Sequence, residues 1–208
     1  MAEGYWNHNV HYHSLVLDAV PERCGAALDV GCGDGLLARR LAQRAEAVVG
    51  VDVDAEMIRL ARERSARVDN VTFAEADLLD DGHGLLADGK YGFVSAVAVV
   101  HHVGLAEALA AMRRLLAPGG RMVVVGLARN RTLLDWVVSG AGVPAARVLA
   151  RRHGGTDHPP GMRVVMPETS WGAVRRDARR LLPGCRVRRH LLWRWSLVWE
   201  KPHDAAAP

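Results

Sequence analysis

Cysteine, lysine and long hydrophobic runs are all scarce in this 208-residue chain. The three cysteines, Cys24, Cys32 and Cys185, form neither a closely spaced pair nor an even set. The sequence therefore predicts no structural zinc and no disulfide framework. The longest apolar stretch, 94–103, falls well short of the ~20 residues that cross a membrane. With no secretory signal pattern at the start, these absences favour a cytoplasmic protein without a transmembrane segment.

Charge is divided unevenly along the chain, although the composition is that of an ordinary folded domain. Half of the residues are hydrophobic and 24% are charged, which predicts a single domain spanning 1–208. Residues 1–128 carry 12 basic and 17 acidic side chains, a net charge of −5, whereas 129–208 carry 15 basic and 6 acidic ones, a net charge of +9. The basic half could attract an anionic partner, but a solvated arginine-rich face is the favoured interpretation.

Apolar runs alternate with helical patterns through the first 128 residues. The predicted strands are 26–30, 47–51, 71–76, 91–100 and 121–127. Three segments have helical spacing: 36–43, the segment that Asp54 would cap, and 105–116. Pro-Gly-Gly at 118–120 should end the third helix. Apolar strands separated by helices predict an α/β fold with a doubly wound, mostly parallel sheet that carries helices on both faces.

The alternation of apolar runs and helical patterns ends after residue 128. Glycines interrupt the apolar segment that begins at Leu133, and 153–168 is rich in glycine and proline, so it is predicted to be a loop. Thr169 or Ser170 should cap a helix whose inward face includes Val174 and Ala178. The runs 185–192 and 195–201 are close enough to be antiparallel neighbours.

A glycine-rich turn stands between the first predicted strand and the first helix. Its glycines, Gly31, Gly33 and Gly35, surround Cys32 and Asp34. Such a turn lets a ligand approach the backbone, and the helix N-terminus after it favours an electron-rich group. The spacing G-x-G-x-G differs from the G-x-G-x-x-G of dinucleotide sites, which disfavours a pyrophosphate. A plain tight turn is the structural alternative.

Acidic residues stand at the ends of three successive strands. Asp29 closes the first strand, Asp52 follows the second and Asp77 follows the third. Carboxyl ends of parallel strands share the edge where open α/β sheets bind ligands. These acids suit a nucleoside that has no phosphate groups and carries an ammonium group. Helix capping for Asp52 and a turn role for Asp77 remain the structural alternatives.

At this point the chain resembles the class I S-adenosylmethionine-dependent methyltransferases. The matching segments are LDVGCGDG at 28–35, VGVDVD at 49–54, FAEADLLD at 73–80, VVHHV at 99–103 and LLAPGGRMVVVG at 115–126. The resemblance is strong over 26–127 and implies a Rossmann-like, seven-stranded sheet whose last strand is antiparallel. It also implies S-adenosylmethionine as the cofactor.

The resemblance implies a role for each matching position. The glycine turn, Cys32 included, would lie beneath the methionine part of the cofactor, and Asp29 would bind its amino group. Asp52 would hold the ribose. The implied adenine contacts, together with a backbone contact to the methionine end, are Val53, Met57, Asp77, Leu78 and Val99. Residues 1–25 would form a cap over the cofactor.

Two histidines follow the fourth predicted strand. His101 or His102 could be a general base for an acceptor that loses a proton, although a structural role is favoured. His8, His11 and His13 resemble a metal cluster, but no carboxylate lies near them before Asp18. No metal is therefore predicted.

Missing motifs narrow the acceptor to a small molecule. The chain lacks the Asn/Asp-Pro-Pro-aromatic run of base-amine methyltransferases, the Pro-Cys nucleophile of the cytosine C5 type and the paired-glutamate loop of protein arginine methyltransferases. Methyl transfer to oxygen, nitrogen or carbon of a metabolite is predicted, with 129–170 as a substrate lid in which Trp136 either meets substrate or packs in the core. A nucleic-acid partner is not expected, and the oligomeric state stays open. An RNA or protein methyltransferase, a non-catalytic cofactor-binding module and a nicotinamide enzyme are the alternatives.

Overall fold

Seven strands form one sheet in the computed structural model, which describes residues 5–80, 86–157 and 167–203. The sheet order is β3-β2-β1-β4-β5-β7-β6. The strands are β1 (Cys24–Val30), β2 (Ala45–Asp52), β3 (Val71–Glu75), β4 (Tyr91–Val97), β5 (Leu116–Leu127), β6 (Arg186–Arg189) and β7 (Arg194–Glu200). The doubly wound α/β class that the sequence predicts is confirmed.

Strands β1 to β5 all run parallel to one another, and of the two C-terminal strands only β7 runs in the opposite direction. β7 lies antiparallel to both β5 and β6. The register pairs Leu127 with Arg194, so the start of β7 stands at the carboxyl end of β5. The antiparallel last strand that the resemblance implies is thereby confirmed.

Helices cover both faces of the sheet, and the sheet separates two apolar cores. In chain order they are α1 (His13–Asp18), α2 (Leu36–Leu41), α3 (Ala55–Arg64), α4 (Val100–Val103), α5 (Leu105–Leu115), α6 (Leu133–Arg152) and α7 (Trp171–Leu181), and a 3₁₀ turn (Val10–Tyr12) precedes them. Leu109 and Met112 of α5 are buried in one core, and Leu37 and Leu41 of α2 are buried in the other.

Local capping explains where two helices begin. Asp54 accepts hydrogen bonds from the Glu56 and Met57 amides at the start of α3, as its position before the helix predicts. Ser170, the second of the two residues considered, caps α7 by accepting from the Ala173 amide. The predicted inward face of α7 is also found, because Val174 and Ala178 are buried.

Two predicted boundaries around β4 and β5 are wrong. β4 ends at Val97, three residues early, because Ala98 takes a left-handed backbone conformation with φ of 60° that a strand does not accommodate. α5 ends at Leu115, before the Pro-Gly-Gly sequence, which lies inside β5. Strand pairing of Leu116 with Tyr91 overrides the helical spacing at that residue.

The segment after residue 132 is one helix of 20 residues, not an interrupted apolar run. Thr132 and Asp135 form a reciprocal capping box at its start. The glycine at 142 serves packing, since a Cβ there would lie 2.3 Å from the Leu191 carbonyl oxygen. Trp136 is 64% exposed, which excludes core packing for that side chain. Part of the predicted loop, 158–166, lies outside the described residues.

By length and composition alone, α6 is also apolar enough to cross a membrane, with a mean hydropathy of 1.3 over its most apolar window. Only 17% of that window is buried inside the protein. The apolar runs of the sequence do not indicate this property, because Asp135, Ser139 and two glycines interrupt the segment. A single helix of this kind does not show a membrane span.

An ion pair between Asp135 of α6 and Arg189 of β6 anchors the helix to the sheet. The Arg189 guanidinium donates to Asp135 Oδ1 at 2.6 Å, and the Arg131 and Thr132 amides donate to Asp135 Oδ2, each at 2.9 Å. Backbone donors and this cation lower the pKa of Asp135 to about 2, against the burial of the carboxyl.

Asp135→Ala should lower the free energy of unfolding by about 2–3 kcal/mol, because it removes a helix cap and the partner of Arg189. The depressed pKa means that this contribution is present above about pH 4 and is lost as the pH falls towards 2. Urea denaturation at pH 7 measures the change. The control is Asp88→Ala, which removes an exposed ion pair with Arg114 and should cost less than about 1 kcal/mol. Equal effects of the two substitutions would contradict the prediction.

Candidate active site

The turn between β1 and α2 places three glycines in left-handed conformations. Their φ angles are 65° at Gly31, 52° at Gly33 and 77° at Gly35. A Cβ at Gly31 would lie 2.2 Å from the Val99 side chain, and one at Gly35 would lie 2.7 Å from Phe73. Gly33 differs, because nothing lies within 4 Å of its Cβ position. Gly31 and Gly35 are therefore needed for packing, whereas Gly33 borders open space. This space lies at the edge of the sheet where the parallel strands have their carboxyl ends, referred to below as the carboxyl edge.

Asp52 connects this turn to the end of β2. Its Oδ2 accepts from the Gly33 amide at 2.9 Å, and its Oδ1 accepts from the Asp54 amide at 3.0 Å. Each carboxylate oxygen has a second lone pair, so the group retains the capacity to accept hydroxyl donors. The structure thus shows the loop-fixing role and is compatible with the predicted ribose contact.

Asp29 is buried beside the turn and is only half satisfied. The Ser95 hydroxyl donates to its Oδ1 at 2.8 Å, whereas its Oδ2 is buried with no hydrogen-bond partner among the described residues. Burial raises the pKa of Asp29 to about 7, with a further rise from Asp52 that the Ser95 hydrogen bond opposes. A cationic donor would satisfy this oxygen and favour the ionised form.

The residues predicted to surround the adenine lie along the same edge. Met57 is buried on α3, whereas Val53 is 64% exposed. Asp77 is exposed and accepts from the Leu79 amide at 2.9 Å, so the turn role considered for it is present. Leu78 is buried in the core. Adenine contacts at these positions remain a prediction.

Beyond β4, the chain turns sharply and presents two histidines. They lie on the single helical turn α4, which follows Val99. His101 is half-buried and His102 is exposed, and their rings are 4.1 Å apart. His101 Nδ1 is buried without a hydrogen-bond partner among the described residues. Burial lowers the pKa of His101 to about 4, with smaller contributions from His102 and Arg194.

An N-terminal segment, residues 5–12, crosses the carboxyl edge. At one end the Tyr5 hydroxyl donates to Asp34 Oδ1 at 3.1 Å. Asp34 is a buried anchor that the sequence reading did not single out, and it also pairs with Arg64 of α3. At the other end Asn9 Oδ1 accepts from Arg194 at 2.7 Å. A cap over the cofactor formed by residues 1–25 remains a prediction, and its first four residues lie outside the described part of the chain.

The far side of the edge carries polar groups that sequence reasoning also missed. Arg194 opens β7, and Tyr12 accepts a hydrogen bond from the Leu192 amide at 3.3 Å. The ring of His190 lies 5.0 Å from the ring of Tyr12. Arg194 stands directly before the predicted strand 195–201, and that position in the sequence does not indicate a role at the site.

The three N-terminal histidines do not face one another. The His13 ring contacts Arg40 at 3.1 Å, and its burial beside that cation lowers its pKa to about 3. His8 packs between Trp6 and Trp193, while His11 packs on Trp6 and Tyr12. No group of three metal-ligating side chains occurs within 5–80, 86–157 or 167–203.

Similarity to known proteins agrees with this site. A family model described as a methyltransferase domain matches residues 28–124. An uncharacterised methyltransferase of Mycobacterium tuberculosis is 34% identical over 204 residues, which are 95% of this chain and 98% of the relative. A ubiquinone biosynthesis O-methyltransferase of Sodalis glossinidius is 34% identical over 134 residues, 62% of this chain and 53% of that protein.

The fold is shared with solved structures. The N-methyltransferase NodS of Bradyrhizobium japonicum, in complex with S-adenosylhomocysteine, superposes with a TM-score of 0.61 at 16% identity, over 95% of this chain and 89% of NodS. Fold and site together define an enzyme that binds a nucleoside cofactor at the carboxyl edge of its sheet. The chain belongs to the class I S-adenosylmethionine-dependent methyltransferases.

Observations of this structure fit that cofactor. The unsatisfied Asp29 oxygen could accept a hydrogen bond from the ammonium group that the resemblance implies. The open space at Gly33 leaves room for a ligand against the backbone. The two acids and the middle glycine of the turn are therefore the residues that would hold the amino-acid part and the sugar.

Binding of S-adenosylhomocysteine is expected to weaken as the pH falls below about 7, the pKa of Asp29. The carboxylate that attracts the ligand's ammonium group is populated above that pKa and is lost below it. Calorimetry should show roughly tenfold lower affinity at pH 6 than at pH 8.

Asp29→Asn is the matched control, because it keeps the shape of the side chain and removes its titration. Its affinity should be low and independent of pH over the same interval. A wild-type affinity that does not change between pH 6 and pH 8 would exclude the charge contact.

Proposed function

We propose that this methyltransferase acts on a small molecule and transfers the methyl group to oxygen, nitrogen or carbon. The observation that carries the proposal is the course of the N-terminal segment, which is bonded to Asp34 at one end and to Arg194 at the other. A segment across the edge would leave room for a small acceptor rather than for a polymer. The Sodalis relative is named for ubiquinone biosynthesis, which also supports a small acceptor.

The predicted role of each residue follows from the charges along the carboxyl edge. Asp29 would bind the amino group of S-adenosylmethionine, and Asp52 would accept from the ribose hydroxyls. The bound cofactor supplies an activated methyl group, so the main task of the protein is alignment of the acceptor with that group. Aromatic side chains of the N-terminal segment, Trp6 and Tyr12, would keep water from the acceptor.

His101 is the favoured proton acceptor when the acceptor is a hydroxyl or an acidic carbon. Its lowered pKa, about 4, keeps the ring neutral near pH 7, and a neutral ring has a nitrogen lone pair available. His102 is exposed and its ring lies beside that of His101. The geometry therefore supports His101 over its neighbour for the predicted catalytic role.

Transfer of label to a small compound tests the proposal. The protein is incubated with S-adenosylmethionine carrying a labelled methyl group and with a bacterial extract separated at about 3 kDa. Labelled products are then identified by mass spectrometry. We expect label in the small-molecule fraction, whereas label confined to RNA or protein would contradict the proposed acceptor class.

His101→Ala should lower the rate of methyl transfer by ~10²-fold, because proton transfer by a positioned side chain contributes about that much. The affinity for S-adenosylhomocysteine should stay unchanged. His102→Ala is the control and should keep most of the activity. A loss below threefold in His101→Ala would remove the general-base role.

A further inference from the structure

Arg194 is a partly buried cation whose hydrogen-bond partners in the described part of the chain are all neutral. Its Nε and Nη2 donate to Asn9 Oδ1 at 3.0 and 2.7 Å. Its Nη1 reaches the carbonyl oxygens of Leu192 and Trp193 at the long distance of 3.4 Å. Within residues 5–80, 86–157 and 167–203, no carboxylate forms an ion pair with it.

Neutral acceptors leave the charge of this guanidinium uncompensated. Burial lowers the pKa of Arg194 to about 10, and the nearby Tyr12 only partly offsets that effect. Burying a cation is costly unless an anion balances it. An amide oxygen could be held as well by a neutral donor, so anchoring Asn9 does not by itself account for an arginine here.

Arg194 lies at the part of the carboxyl edge where the methyl acceptor is expected to bind, next to β5 and the His101 turn. It stands opposite Leu127 at the carboxyl end of β5, and β5 neighbours β4, from which the His101 turn follows. The cation is close enough to His101 to lower the pKa of that ring. Arg194 and His101 therefore share one electrostatic environment.

Among the described residues, the lining of the cleft beside Arg194 adds positive charge and aromatic surface but no acid. Its lining includes Arg129, Asn130 and Ser139 together with the indoles of Trp171 and Trp193. Arg189, which also borders the cleft, is already neutralised by Asp135. Planar guanidinium groups match carboxylates through two parallel hydrogen bonds.

We propose that the methyl acceptor carries a carboxylate and that Arg194 binds it. The inference rests on the proposed function and deepens it, because it assigns the acceptor to the organic acids. The bound carboxylate would balance the charge of Arg194 and hold the acceptor on the His101 side of the edge. It would also raise the pKa of His101, which is depressed in part by Arg194, towards the range useful for a base.

Removal of acids from the acceptor mixture provides the first test. The small-molecule extract is passed over a strong anion exchanger at pH 8, and the flow-through and the eluted acids are each assayed for label transfer. We expect the label in the eluted acids. Label in the flow-through alone overturns the inference but leaves the proposed function intact, whereas no label in either fraction contradicts the proposed function itself.

Variants of Arg194 provide the second test, with the eluted acids as substrate. Arg194→Gln should raise the apparent KM by at least about tenfold with a smaller change in kcat, because a charge-assisted contact is lost. Arg194→Lys, which keeps the charge, should recover part of that loss. Arg186→Gln removes an exposed arginine of β6 and serves as the matched control, with no change expected.

Calorimetry with S-adenosylhomocysteine separates binding of the acceptor from damage to the fold. Each variant should retain the wild-type affinity for this ligand within about twofold, because the ligand lies against the other half of the edge. Equal loss of activity in Arg194→Gln and Arg194→Lys, or an unchanged KM in Arg194→Gln, would overturn the proposal.

Discussion

The hydrogen bond from the Gly33 amide to Asp52 Oδ2 joins the two parts of the cofactor site. It connects the turn after β1 to the acid that ends β2, so the backbone of the turn is held at a fixed distance from the predicted sugar contact. The left-handed φ of Gly33 directs that amide towards Asp52. A side chain at this position would be strained and would occupy the space that a ligand needs.

A second constraint acts where the strand order reverses between β1 and β4. Open α/β sheets bind ligands in the crevice at such a point. Here the turns after the two strands touch, because Gly31 has no Cβ and the Val99 side chain occupies that volume. Val99 in turn precedes α4 and the His101 ring. The glycine turn therefore positions both the cofactor groups and the segment that carries the predicted base.

Sequence patterns predicted the sheet well because its strands are buried on both faces and appear as continuous apolar runs. They failed where a tertiary contact decides the local structure. The glycine in α6 reads as a helix interruption, yet it allows close approach of the Leu191 carbonyl, which is distant in sequence. Likewise the left-handed Ala98 shortens β4, and no local residue preference indicates that. Asp29 and Asp52 could be predicted because each lies at the carboxyl end of its own strand, whereas Arg194 reaches the site only through the antiparallel pairing of β7 with β5.

The uneven charge of the sequence corresponds to two differently charged sides of the carboxyl edge. Asp29 and Asp52 lie at the carboxyl ends of β1 and β2, and Asp77 follows β3. The ligand expected there carries an ammonium and a sulfonium group. The side formed by β5 and β7 has Arg194 and Arg129 instead, although most arginines of α7 are exposed, in agreement with a solvated face. Since opposite charges attract across a low-dielectric site, a cationic cofactor and an anionic acceptor would each be drawn to its own half. The methyl group would then be transferred where the two halves meet, beside Val99 and His101.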